Sequence, residues 1–249
     1  MVLRDLFHNA KLLRRGNSPR KLSRWLNRCQ IELRGRQRVL DFELEYLNTD
    51  ALRLLYEEIF VREEYLFSSK SEAPVIFDCG ANIGLATMYF KWRYPHSRIT
   101  AFEPDPLTFQ TLGRNVQRNH LPDVSIHNVA LWKEDGALSF FVPENAPGSP
   151  KMSAYRPQGF GREITVSSKR LSDYITGPVD LVKMDIEGAE HEVMCDLVRS
   201  GKIEQVREMI IEYHHNIPGD SKSFGGFLSM LESCGLRSQI NSLLQPIAR

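Results

Sequence analysis

From Pro74 onward the chain alternates short apolar runs with longer amphipathic ones, and that rhythm restricts the fold more than any other feature. VIFDCG (75–80), SRITAFEP (97–104), VSIHNVAL (124–131), DLVKMD (180–185) and VREMIIEYHH (206–215) read as strands. NIGLATMYFKWRY, DPLTFQTLGRNVQRNH, SKRLSDYI, GAEHEVMCDLVRSG and SFGGFLSMLESCG read as the intervening helices. ALSFFVP and REITVS read as extended segments around a long Gly- and Pro-rich loop, ENAPGSPKMSAYRPQGFG. Alternation of this kind predicts an α/β domain with a mostly parallel sheet covered by helices on both faces. Ligands of such a sheet bind beyond the carboxyl ends of the strands, so strand-end residues are where function is sought.

The first 70 residues follow a different pattern. Residues 3–14 and 19–28 have the composition of short helices, IELRGRQRVLDFEL that of a hairpin with Gly35 near its turn, and a helix is predicted from about Asn48 with Leu52, Leu55, Ile59 and Phe60 on its apolar face. The polar stretch SSKSEAP (68–74) separates this extension (1–70) from the main domain (71–249). Residues 1–38 hold eleven Lys/Arg against two acids, whereas residues 39–73 hold nine acids against three Lys/Arg. A basic arm suits an anionic surface, either membrane or nucleic acid, and suits a solvated amphipathic helix equally well. Only Phe7 and Trp25 in that arm could stack on bases, which argues against nucleic acid. The net charge of +1 gives no wider case for it. Four scattered cysteines without a CxxC pattern, and no uninterrupted apolar leader or membrane-length run, are the expectation for a cytoplasmic protein with reduced thiols.

The strand ends carry the chemistry. Asp78-Cys79-Gly80-Ala81-Asn82-Ile83-Gly84 follows the first strand with a glycine spacing unlike the dinucleotide GxGxxG pattern. Such glycines either bring backbone close to a ligand or merely permit a tight turn. Glu103 closes the second strand 23 residues after Gly80, where a carboxylate can accept both hydroxyls of a ribose. The third strand ends near Ala130 and Trp132, a small residue with room for a flat ring and an aromatic that could stack on it.

DCGANIG, AFEPDP, the ALW segment, KMDIEGAE and IIEYHH, in that order, resemble the FkbM family of S-adenosylmethionine-dependent methyltransferases across about residues 60–235. The resemblance implies a Rossmann-like class I methyltransferase fold with S-adenosylmethionine as cofactor, and O-methylation of a hydroxyl on a sugar, glycan or secondary metabolite. It implies that Asp78, Gly80, Asn82 and Gly84 lie against the methionine part of the cofactor and that Glu103 holds the ribose. It assigns Asp185, Glu187, Gly188 and Glu190 to the later acidic motif, and Glu212 to the end of the next strand. Cys79 departs from the aliphatic residue common at its position, and the short C-terminal tail implies an abbreviated final strand pair.

Methyl transfer to oxygen requires the acceptor to be held in line and its proton removed, by a base or by a metal that acidifies the hydroxyl. Three readings of KMDIEGAEHE therefore stand together. Glu187 and Glu190 complement a helix dipole, or Asp185 or His214 is the general base, or Asp185, Glu187, Glu212 and His214 ligate a divalent cation. Glu192 and His191 are expected to continue along the helix toward solvent, and His215 to face away from His214. The loop 144–161 offers Ser149, Ser153 and Tyr155 to a polyhydroxyl acceptor, or is plain surface. Cofactor-side candidates are thus Asp78, Gly80, Asn82, Gly84, Glu103, Ala130 and Asp185, and catalytic candidates are Asp185, Glu187, Glu212 and His214. An RNA methyltransferase using the basic arm, or a non-enzymatic module retaining the fold, are the alternatives to a small-molecule O-methyltransferase.

Overall fold

The computed structural model describes residues 35–142, 162–214 and 223–240. The predicted helices of the basic arm, the loop 144–161 and His215 lie outside them. Five strands form one all-parallel sheet: β3 (Val75–Cys79), β4 (Arg98–Phe102), β5 (Val124–His127), β9 (Leu181–Met184) and β10 (Met209–Ile211). Their order is β5-β4-β3-β9-β10. The chain moves outward from β3 through β4 to β5, then returns to the other side of β3 with β9 and β10. The switch in strand order falls between β3 and β9, and beside such a switch lies the ligand crevice of this class of sheet.

Local sequence accounts for the connecting helices. In α2 (Leu85–Arg93) the N-cap is Gly84 with φ +93°, and a Cβ there would meet Leu112 Cδ1 at 2.7 Å. In α3 (Pro106–Arg118) the cap is Asp105, which accepts from the Thr108 backbone N–H and hydroxyl, with proline at the first helical position. The remaining main-domain helices are α4 (Glu190–Arg199) and α5 (Phe224–Ser233). α2 joins one large apolar cluster on one face of the sheet, and α4 and α5 join another with Phe77, Phe102, Val182 and Met184. A small second sheet is built from β6 (Ala130–Leu131), β7 (Gly136–Val142) and β8 (Arg162–Lys169), with β8 in the middle.

The extension is bound into the main core. β1 (Gly35–Val39) and β2 (Phe42–Tyr46) form the predicted hairpin, but its turn is at Leu40-Asp41, not near Gly35. Val39 pairs with Phe42, which leaves a two-residue loop, and Leu40 takes the positive φ (+53°) that such a loop demands. Two asparagines one helical turn apart on α3 stand in for a neighbouring strand. Asn115 and Asn119 each accept from a backbone N–H of β2, of Glu45 and Glu43, and each donates back to the same residue's carbonyl. α1 (Thr49–Tyr56) is capped by Asn48 and buries Leu52, Leu55 and Tyr56. It runs into a π-helical turn, Glu57–Val61, which buries Ile59 and Phe60. These residues share one cluster with Ile76, Tyr89 and Phe90 of the main domain.

Three further expectations change. VSIHNVAL is two strands: it breaks after His127, where the Asn128 amide donates to the carbonyls of Glu103 and Pro104, and Ala130–Leu131 pairs with β8 instead. SKRLSDYI is mostly not helical. Its first two residues, Ser168 and Lys169, complete β8, with Ser168 opposite Gly136 of β7 and Lys169 opposite Leu131 of β6, and only Leu171–Tyr174 forms a single 3-10 turn. Glu192 is buried rather than solvent-facing, since Lys133 pairs with it at 3.0 Å, and His191 is half-buried with its ring near Phe227.

Candidate active site

The ladder between β3 and β9 continues past the strand ends, where the Asp185 N–H donates to the Cys79 carbonyl. This brings the Gly80 turn and the Asp185 turn into contact. A Cβ on Gly80 would sit 1.8 Å from the Asp185 carbonyl oxygen, and Gly80 has φ +80°. Glycine is therefore required for the two turns to meet. Both turns hold side-chain-bearing residues in the left-handed region, Asn82 (φ +50°) and Glu187 (φ +54°), a conformation that persists only where surroundings impose it.

Above these turns lies an open cleft whose empty space, including the part open to solvent, is about 790 Å³. One end is lined by Asn82, Glu103 and Pro104, the other by Lys183, Asp185 and Glu187. The small sheet adds apolar wall through Ala130, Leu131, Leu138 and Phe140. The extension adds Leu55, Ile59 and Tyr65.

Glu103 is buried, and each of its oxygens accepts one backbone N–H, from Asn82 and from Asp105, both at 2.9 Å. Two fixed donors leave lone pairs free on a carboxylate that borders the cleft, so it can accept further hydroxyls. Burial pushes its pKa up to about 8, with the backbone hydrogen bonds opposing and Asp105 adding to the rise. The donor and acceptor set at this end fits a ribose, and the small Ala130 with its apolar neighbours fits a flat base.

At the other end Lys183 is central. It stands mid-strand in register with Asp78, and both side chains are essentially inaccessible (2% and 0%). Its ammonium donates to the Gly80 carbonyl at 2.7 Å and lies 3.5 Å from Asp78 and 3.7 Å from Asp185. Burial works against its charge, but Asp185 and Asp78 outweigh that and raise its pKa. Asp78 also accepts from the Thr87 hydroxyl at 2.6 Å.

Asp185, Glu187, Glu190, Glu212 and His214 come together around the turn after β9. His214 Nδ1 lies 3.0 Å from Glu190 Oε1, and its Nε2 lies 3.4 Å from Glu187 and 3.9 Å from Glu212. Glu190 is fully buried, and its Oε1 also accepts from the Ile186 and Gly188 N–H groups. It thus braces the loop that presents Asp185 and Glu187. Burial disfavours a charged His214, yet the Glu190 hydrogen bond and the neighbouring acids raise its pKa to about 10. Burial pushes Glu187 up to about 8 against the pull of His214, and Asp185 and Glu212 add to the rise. One ligand atom each from Asp185, Glu212 and His214 falls within 4.8 Å of the others, a set of two oxygens and one nitrogen.

Of the cofactor-side candidates, Gly80, Asn82, Glu103, Ala130 and Asp185 border the cleft. Asp78 and Gly84 stand behind it, Asp78 under Lys183 and Gly84 against Leu112. Trp132 is not part of the lining; its ring lies 6.0 Å from the Lys133 ammonium. Sequence reasoning missed Lys183 and Tyr65. A lysine inside the otherwise apolar run DLVKMD was a visible signal, because lysine is rarely buried without partners. Tyr65 carried none.

A five-stranded parallel sheet with a buried acid after its second strand, and acids after the strand beyond the switch, is the arrangement expected of an S-adenosylmethionine-dependent methyltransferase. The profile described as the methyltransferase FkbM domain matches residues 78–238, and the chain belongs to that family. It is 32% identical to "Methyltransferase sdnD" of Sordaria araneosa, over 78% of this chain and 80% of that one. It is 25% identical to "31-O-demethyl-FK506 methyltransferase FkbM" of Streptomyces tacrolimicus, over 68% and 77%. The crystal structure of methyltransferase FkbM from Methylobacillus flagellatus KT superposes with a TM-score of 0.43 at 18% identity, over 65% of this chain and 42% of that one.

Proposed function

We propose that this enzyme methylates a hydroxyl oxygen of a sugar, glycan or secondary metabolite, with Asp185 as the general base. The observation that carries the reading is that one cleft is bordered at one end by Glu103 and at the other by Asp185. Glu103 would hold the ribose hydroxyls of S-adenosylmethionine, the Gly80–Asn82 turn its methionine part, and Ala130 with the small sheet its base. Bound there, the cofactor would supply a sulfonium-activated methyl group to the acceptor oxygen, leaving as the neutral thioether. The chain's own task is to fix the acceptor and take its proton. Asp185 sits at the mouth of the cleft with a carboxylate oxygen to spare, and Glu187 beside it can orient the hydroxyl. His214, charged and held by Glu190, offsets the negative charge gathered at this end.

The relative named for 31-O-demethyl-FK506 supports oxygen as the methylated atom. Leu55, Ile59 and Tyr65 support a role for the extension before about residue 70 in shaping the acceptor side. Among the described residues no helix is long and apolar enough to cross a membrane. The test is transfer of a labelled methyl from S-adenosylmethionine across a panel of methyl glycosides and polyhydroxylated alcohols, with the label located by mass spectrometry. An ether methyl on an acceptor carbon supports the reading. Label on nitrogen, or no transfer to any acceptor in the panel, overturns it.

A second reading rests on the ligand set Asp185, Glu212 and His214, which could hold magnesium or manganese and acidify the hydroxyl. Dialysis against EDTA separates the two. Unchanged turnover favours the general base, whereas loss restored by magnesium or manganese favours the metal.

A further inference from the structure

Tyr65 lies outside the matched family region, in the segment between the π-helical turn and β3. Its side chain nevertheless reaches the acidic end of the cleft. The hydroxyl donates to Asp185 Oδ2 at 3.3 Å, and the ring lies 5.1 Å from the Lys183 ammonium. The ring is buried among the residues of the core that joins the extension to α2, and it packs near Phe90. A phenol holds its proton at neutral pH, so in this contact the Tyr65 hydroxyl is the donor and the carboxylate the acceptor.

Lys183 approaches the same oxygen, Oδ2, at 3.7 Å. The two contacts therefore fall on one side of the carboxylate. Among the described residues, Asp185 Oδ1 has no hydrogen-bond partner, and Asp185 borders the cleft. A carboxylate pinned through one oxygen cannot rotate freely, and the other oxygen is left with a fixed direction for an incoming proton.

We propose that Tyr65 and Lys183 are positioning residues that hold Asp185 by Oδ2 and so reserve Oδ1 for the acceptor hydroxyl. This rests on Asp185 being the general base. Neither residue need touch the acceptor: Lys183 borders the cleft but is almost wholly buried, tied to Asp78 and to the Gly80 carbonyl, and Tyr65 works from the extension. The extension then contributes to the chemical step and not only to the walls of the cleft.

Tyr65→Phe tests this in the full chain, because it removes the hydroxyl and keeps the ring in its core. The acceptor is the one turned over fastest in the panel above. Losing a hydrogen bond to a charged group corresponds to roughly a tenfold effect or more. The expected result is a kcat lower by about tenfold, with the acceptor KM and the affinity for S-adenosylhomocysteine within about twofold of wild type. A wild-type kcat, or a loss carried by KM or cofactor affinity with kcat unchanged, overturns the proposal. A general packing defect is recognised by a lowered Tm together with weakened S-adenosylhomocysteine binding, and that pattern also overturns it. Asp185→Asn run beside it separates the two levels. If Asp185→Asn abolishes transfer and Tyr65→Phe changes nothing, the positioning role fails and the base assignment stands. If Asp185→Asn keeps wild-type transfer, the base assignment itself fails.

Discussion

Cofactor affinity should depend on pH through Glu103, and the structure sets both the direction and the size. In the free protein the carboxyl has a pKa of about 8 against an ordinary value of 4.5. A raised folded-state pKa means that the folded chain holds the proton more tightly than the unfolded chain. The contribution to stability is full below pH 4.5 and is lost as the pH rises through 8. A ribose that donates two hydroxyls binds the carboxylate, so binding releases that proton and affinity rises with pH. If only the carboxylate binds, affinity for S-adenosylhomocysteine is about tenfold below its plateau at pH 7 and about a hundredfold below at pH 6. Calorimetric titration between pH 6 and pH 9, in two buffers of different ionisation enthalpy, reads both the affinity and the proton released. Glu187 borders the same cleft with a pKa also near 8, so Glu103→Gln is the necessary control. The amide should flatten most of the pH dependence and weaken binding at pH 9 by roughly ten- to a hundredfold, the loss expected for hydrogen bonds to a charged group. An affinity that does not change between pH 6 and pH 9, or a slope that survives in Glu103→Gln, would refute the assignment of Glu103 to the ribose.

Two other substitutions probe the scaffold. Gly80→Ala places a Cβ 1.8 Å from the Asp185 carbonyl in a left-handed conformation; it should weaken cofactor binding and lower Tm, with roughly 1–2 kcal/mol from the conformation alone, and a variant with wild-type binding and Tm would show that the two turns need not touch. Asn115→Ala removes the partners of the Glu45 N–H and carbonyl and of the Ile83 carbonyl. It should cost about 2–4 kcal/mol and speed hydrogen exchange selectively in β2, and unchanged exchange there would contradict the docking described for the hairpin.

The features legible in the sequence are those set by local rules. Period and punctuation mark the parallel strands and their helices, and the strand-end logic of such a sheet points to Gly80, Glu103 and Asp185. What was not legible depends on pairing across the fold. Nothing in Ser168 and Lys169 shows that β6 and β7 will claim them as strand, and nothing in VSIHNVAL shows that Asn128 will bond back to Glu103 and split it. Helix periodicity placed Glu192 on the surface, but Lys133, distant in sequence, covers it. Tyr65 reaches Asp185 across 120 residues, a contact no local pattern encodes. Lys183 was the one missed residue with a signal, a charge in the middle of an apolar strand that needed a buried acid such as Asp78 in the neighbouring strand to be tolerated.

The central claim is that Asp185 takes the acceptor proton in a cleft that binds the methyl donor independently of it. Single-turnover methyl transfer by Asp185→Asn, measured beside the affinity of the same variant for S-adenosylhomocysteine, tests it most directly. The expected result is a transfer rate lower by about a hundred- to ten-thousandfold, the usual contribution of a general base, with cofactor affinity close to wild type. A transfer rate within a few-fold of wild type would contradict the account.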